Sequence, residues 1–97
     1  MAVGDVVTGI SSVIATTGTL DIKPSAGVEW VIHNIAYNGG TIELWKTDGT
    51  NNLKYDIDTT SGGRFNLSLH CTNAIWYQLK NISAAAVIAS YDGMQTK

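Results

Sequence analysis

The residues able to do chemistry are few and scattered. Histidine occurs twice, at His33 and His70, and neither is accompanied by a second ligand at the spacing that tetrahedral zinc sites use. A zinc site would need carboxylates brought from far along the chain, so both read as structural or surface histidines. Cys71 is the single cysteine, which excludes an internal disulfide and a thiolate metal site and reads as a buried free thiol. Serine, histidine and aspartate all occur, but no nucleophile-elbow sequence accompanies them. The segment KTDGTNNLKYDID, residues 46–58, gathers the oxygen ligands Asp48, Asn51, Asn52, Asp56 and Asp58. Calcium loops of the EF-hand type need ligands at alternate positions and a closing glutamate, and this segment lacks both. Asp and Asn beside Gly are ordinary turn residues that bond their own backbone. The sequons Asn66-Leu67-Ser68 and Asn81-Ile82-Ser83 carry no weight without a secretory signal. No catalytic, metal-binding or cofactor-binding residue is assigned, and no enzyme is expected.

The aromatic residues say more. Trp30, Trp45, Trp76, Tyr37, Tyr55, Tyr77, Tyr91 and Phe65 nearly all fall within apolar segments punctuated by glycine. Trp76 has the opposite parity to Ile75, Tyr77 and Leu79, and Trp45 the opposite parity to Ile42 and Leu44. If the aliphatic rows face a core, both indoles face outward, as a protein interface or a sugar-stacking platform. If a bulge flips the parity, both are core.

These side chains must be carried by strands. Proline occurs once and glycine ten times, mostly between apolar runs. The breaks predict about eight strands: 5–10, 13–22 with a break at Gly18, 28–37, 41–46, 53–57, 64–69, 74–80 and 85–91. Asn38-Gly39-Gly40, Asp48-Gly49 and Ser61-Gly62-Gly63 supply turns, and Asp92-Gly93 is expected to close the last strand. Leu53, Tyr55 and Ile57 share a face, as do Phe65, Leu67 and Leu69. The expected fold is all-β: a single-domain β-sandwich over residues 1–97, a jelly roll of about eight antiparallel strands, with residues 1–12 a candidate N-terminal arm.

The strand at 28–37 does not alternate cleanly. Val28, Trp30 and Ile32 take one parity, and Val31, Ile35 and Tyr37 the other. The run AAAVIASY near the end is similarly two-faced. The expectation is that a neighbouring subunit covers the second row, with Val31, Ile35, Tyr37, Trp45, Trp76, Val87 and Tyr91 as interface residues.

Composition narrows the partner. The chain is 44% hydrophobic and only 14% charged, against about 25% charged in a typical soluble domain. Six basic residues stand apart among eight acidic ones, for a net charge of −2. A nucleic-acid partner would call for clustered cations, so none is expected. The start, MAVGDVVTGISS, has no basic region followed by an apolar run, so no secretory signal is expected. The longest aliphatic run, AAAVIA at 84–89, falls far short of the ~20 residues that span a bilayer. No membrane partner is expected, and the chain is expected to be made in a reducing cytoplasm.

The stretches GVEWVIHNIAYNGGTIELWKTDG and TNAIWYQLKNISAAAVIASYDG resemble small β-sandwich virion proteins of tailed bacteriophages, of the head-decoration or cement kind. The similarity lies in an E-W-V-I-x-N-I strand, an acidic-glycine turn, an N-x-I-W-Y-x-L-K-N strand and a terminal Y-D-G, and runs from Gly27 to Met94. The resemblance implies a structural protein on the outer capsid surface that bridges capsomers, with the major capsid protein and its own copies (a dimer or trimer) as partners. It also implies an alternative, a glycan- or receptor-binding head fibre or knob with Trp45, Trp76 and Tyr91 as its platform.

Overall fold

The computed structural model describes residues 2–11, 14–58 and 62–97, with Asp56 and Asp58 described by their backbone alone. Met1, Ser12, Val13 and Ser61, each part of a segment considered above, lie outside the described residues. Among the described residues are nine strands and no helix: β1 Val6–Ile10, β2 Thr19–Ile22, β3 Glu29–Tyr37, β4 Ile42–Thr47, β5 Asn52–Asp58, β6 Gly62–Arg64, β7 Leu69–Thr72, β8 Trp76–Asn81 and β9 Ala89–Gln95. β-Branched and aromatic residues fill them, as a pleated, half-buried surface favours.

The pairings form a nested ladder. β1 pairs with β9, β2 with β8, β3 with β6 and β7, and β4 with β5, all antiparallel. Rolled up, this ribbon gives one sheet of order β1-β9-β3-β6, with β7 also on β3, and a second of order β2-β8-β4-β5. The result is the double-sheet jelly roll. Ile32, Ile35 and Tyr37 of one sheet meet Ile22, Leu44 and Leu79 of the other in a single apolar cluster.

The segment expected as a strand at 64–69 is the break between β6 and β7. Ile35 lies opposite Arg64 and Ile32 opposite Leu69, so three steps along β3 face five along its partner. The additional residues loop out with Asn66 at φ 58°. His33 holds the loop: its carbonyl accepts the Leu67 N–H at 2.8 Å, and its Nδ1 donates to the Leu67 carbonyl at 2.9 Å. Phe65 is consequently exposed rather than sharing a core row with Leu69. Counting β6 and β7 as one interrupted strand restores eight.

β3 carries a bulge. Against β9, Ile32 pairs with Gly93 but Asn34 pairs with Asp92, leaving His33 as the additional residue. A bulge reverses the parity of everything beyond it. Ile32 before it and Ile35 and Tyr37 after it therefore all face the same core. The two apolar rows are one row interrupted, and a neighbour is not needed to cover Ile35 or Tyr37. The bulge also brings β3 against β9 so closely that a Cβ on Gly93 would clash with the Val31 carbonyl and stand 2.7 Å from Ile32 Cα. Glycine at 93 is required by that approach, and Asp92-Gly93 lies inside β9 rather than closing it.

Other boundaries shift as well. Among the described residues of the strand expected over 13–22, Thr19–Ile22 form β2 and Ile14 makes an isolated bridge; Gly18 N–H bonds to the Ala15 carbonyl in a turn between them. The last strand begins at Ala89 rather than 85, and Val87 makes an isolated bridge to Ile14. The residues considered as an N-terminal arm instead contain β1, paired with β9 along its full length, with Val7 buried in the core.

Candidate functional site

Each sheet has an outer face, and the two differ in chemistry. On the four-stranded sheet, Tyr77, Leu79 and Asn81 of β8 are buried, so Trp76, Gln78 and Lys80 point outward. The register puts Glu43 beside Lys80, Trp45 beside Gln78 and Thr47 beside Trp76. β2 and β5 flank them, with Asp21 beside Gln78 and Lys54 beside Trp45.

Trp45 is the centre of this face. Its indole N–H donates to Glu43 Oε1 at 3.0 Å, and Glu43 Oε2 pairs with Lys54 Nζ at 2.8 Å. Lys54 and Lys80 stand 5.7 and 5.9 Å from the ring centroid, within cation–π range. Glu43 is nearly covered, and the Lys54 bond, despite opposition from burial, holds its carboxyl below the usual range. Beside the ring lies a hollow of about 220 Å³ lined by Thr17, Thr19, Trp45, Asn52, Gln78 and Lys80. Gln78 Nε2 is committed to Asp21 at 2.8 Å, and Asn52 Oδ1 to Thr47 at 2.6 Å.

On the five-stranded sheet the outer face is apolar at one end. Val6 lies opposite Met94, Met94 opposite Val31, and Val31 opposite His70, forming one row across four strands. Val6 is 72% and Met94 44% exposed. The next row is polar, with Asn34 Nδ2 donating to Asp92 Oδ1 at 2.6 Å. Beyond it, Ile10 is 74% exposed and lies opposite Ser90, which lies opposite Ala36.

The interface residues expected from sequence are therefore divided. Ile35, Tyr37 and Val87 are 2, 6 and 2% exposed and belong to the core, the first two because of the bulge and Val87 because it bridges Ile14. Val31 is half-buried on the outer face of the five-stranded sheet. Tyr91 points inward between the sheets, stacked on Trp30 with 6.2 Å between centroids and covering Gly9. Trp45 and Trp76 are half-buried on the outer face of the four-stranded sheet. Trp76 is capped by Lys23 Nζ at 3.9 Å, and its ring edge packs against Gly49. Trp45, Trp76 and Tyr91 thus form no common platform, and Trp45 alone borders an open hollow. Val6 and Met94 went unforeseen; the signal was the alternation of Val6 with buried Val7, once β1 is read as a strand.

The reactive groups do not converge. Among the described residues, no three of His, Cys, Asp and Glu gather to hold a metal. Asp48 Oδ1 accepts the N–H groups of Asn51 and Thr50 at 2.6 and 2.9 Å, and these bonds, Asn51 first, lower its carboxyl pKa. This is a self-bonded turn. Burial pushes the Cys71 thiol up to about 12, away from nucleophilic character. Asn81, the first residue of the second sequon, is fully buried with both amide hydrogens bonded.

No protein-family model matches the chain, and no curated protein matches it significantly. Function is therefore argued from the two faces themselves.

Proposed function

We propose that this chain is a non-enzymatic virion structural protein of the cement or decoration kind, seated on the outside of a tailed-phage capsid and bridging neighbouring capsid subunits. The observation that carries the reading is the open apolar row Val6–Met94–Val31 on the outer face of the five-stranded sheet, with Ile10 exposed on the same side. Contiguous exposed apolar surface marks an interaction site rather than ordinary exterior. The resemblance of the motifs between Gly27 and Met94 to those of decoration proteins supports the capsid lattice, and further copies of the chain, as the partners. Repetition of a modest contact across a lattice yields strong binding when two or three copies engage together.

The test is co-sedimentation with particles of the major capsid protein encoded in the same genome, alongside sedimentation velocity of the free chain. Wild-type protein should pellet with the particles. Val6→Asp combined with Met94→Asp should abolish pelleting and any self-association while leaving the circular dichroism unchanged, since both side chains are outside the core. Wild-type protein that neither pellets nor self-associates, or a double variant that behaves as wild type, would refute the assignment.

A further inference from the structure

The hollow beside Trp45 lies on the sheet whose outer face points away from the apolar row, so it is free for a second role. We infer that it is a subsite for one uncharged pyranose ring of a saccharide, stacked on the Trp45 indole. The inference does not rest on the capsid reading, which uses the opposite face.

The ring is prepared for stacking. Its N–H is consumed by Glu43, which is itself held by Lys54, so the indole is fixed in place by a chain of two bonds. What it offers a ligand is the part of its π face that the Lys54 and Lys80 ammonium groups, 5.7 and 5.9 Å from the centroid, leave uncovered, and the negative quadrupole there attracts the polarised C–H groups of a sugar. The rim suits hydroxyl groups. Gln78 and Asn52 each have one end of the amide committed within the protein, which fixes the other end for a ligand. Thr17, Thr19 and Lys80 add hydroxyl and ammonium groups. None of the lining residues is aliphatic, unlike the apolar centre of a protein interface.

Size and charge fix the class further. About 220 Å³ is below the roughly 300–1,000 Å³ of pockets that enclose a drug-sized ligand, so the hollow takes one ring of a longer chain. Around Trp45, Lys54 and Lys80 face Glu43 and Asp21, two cations against two carboxylates. That balance gives no net attraction for a phosphate or a nucleotide and favours a neutral polyhydroxylated ring.

The experiment is a proton–nitrogen correlation titration of the intact chain with the methyl glycosides of glucose, galactose, mannose and N-acetylglucosamine, and with their linear oligomers. At least one probe should shift the Trp45 indole and the Gln78 and Asn52 side-chain amides together, while the Trp30 indole stays in place. Trp45→Ala should lower that affinity about tenfold or more; Trp45→Phe, which keeps a ring and the fold, should retain part of it. Gln78→Ala should weaken it without altering thermal stability by more than a surface substitution does. No shift at Trp45 with any of the probes, or binding undiminished in Trp45→Ala, would overturn the inference. So would shifts confined to the Val6–Met94 face.

Discussion

Asn81 is the side chain whose loss should expose most clearly what holds this roll closed. It lies at the end of β8, fully buried. Its Nδ2 donates to the Ile14 carbonyl at 2.9 Å and to the Ala85 carbonyl at 2.8 Å. Its Oδ1 accepts the Ser83 N–H at 2.9 Å and the Ser83 hydroxyl at 2.6 Å. One amide thus ties the 82–88 loop to the segment before β2. Asn81→Ala removes all four bonds. Each is worth about 0.5–1.5 kcal/mol net. Ser83 and Ala85 can recover solvent, and the Ile14 carbonyl keeps the Val87 N–H at 3.1 Å, which places the total near 3 kcal/mol.

For a domain with about 5–15 kcal/mol of stability, that is a large share. In a chain of this length it lowers Tm by about 12–24 °C. Urea unfolding should show the midpoint falling with m unchanged, because the surface exposed on unfolding is the same. Asn81→Asp gives an internal control. A buried carboxylate facing two carbonyls has its pKa raised in the folded state, so that variant should be least stable at neutral pH and recover partly on acidification. A loss below about 1 kcal/mol for Asn81→Ala would refute the hub, as would an Asp variant insensitive to pH.

Other perturbations address the bulge, the Trp45 site and the thiol. Gly93→Ala should destabilise by about 1–3 kcal/mol, because the added methyl meets β3 backbone rather than a movable side chain; a neutral effect in urea unfolding would contradict the close approach. Glu43→Gln should cost about 0.5–1 kcal/mol near neutral pH, because the amide oxygen can still accept hydrogen bonds and the charge lost is partly screened by solvent around half-exposed Lys54. The Glu43 carboxyl is depressed from 4.5 chiefly by Lys54, so its contribution is complete above about 4.5 and is lost as pH falls through the lower folded value. The gap between wild type and variant in urea midpoints should therefore close only below that pH. Cys71, buried with its thiol pushed up to about 12, should resist a thiol reagent until the chain unfolds, and labelling faster than global unfolding would place it elsewhere.

The jelly roll was readable because turn residues and alternation agreed over most of the chain. β8 shows this well: Tyr77 and Leu79 are core and Trp76 is outward, as their parity required. What could not be read was where parity changes. The bulge at His33 depends on the pairing of Asn34 with Asp92, 58 positions away in β9, and nothing local marks it. The looped break at 65–68 is similar, since Phe65 and Leu67 have the spacing of a strand, and only the register against β3 turns Phe65 out while Leu67 still packs on the core. The end of the chain misled for a different reason. Ala84 to Ala86 are apolar by type but carry too little side chain to hold a strand against Asn81, which claims the Ala85 carbonyl. At the site, the outward parity of Trp45 was legible, whereas its partners Glu43, Lys54 and Lys80 come from three strands whose alignment only the fold supplies.

The distribution of charge ties the two faces together. Lys23, Lys46, Lys54 and Lys80 are four of the chain's six basic residues, and all four stand over aromatic rings of the four-stranded sheet. The apolar row on the other sheet has no lysine or arginine in its register from Val6 to His70. Lys23, Lys54 and Lys80 stand over the outward indoles Trp76 and Trp45, whereas Lys46 lies on the inward side against buried Tyr77, so three cations mark one outer face and none the apolar row. Association through the apolar row should then be indifferent to ionic strength. At about 1 M salt the Debye length falls to about 3 Å, which removes steering by distant charges and leaves apolar burial intact. Pelleting with capsid particles should therefore survive a rise to that concentration without loss. If it is instead lost progressively with salt, the contact is electrostatic, and the lysine-bearing sheet rather than the Val6–Met94 row is the one that meets the lattice.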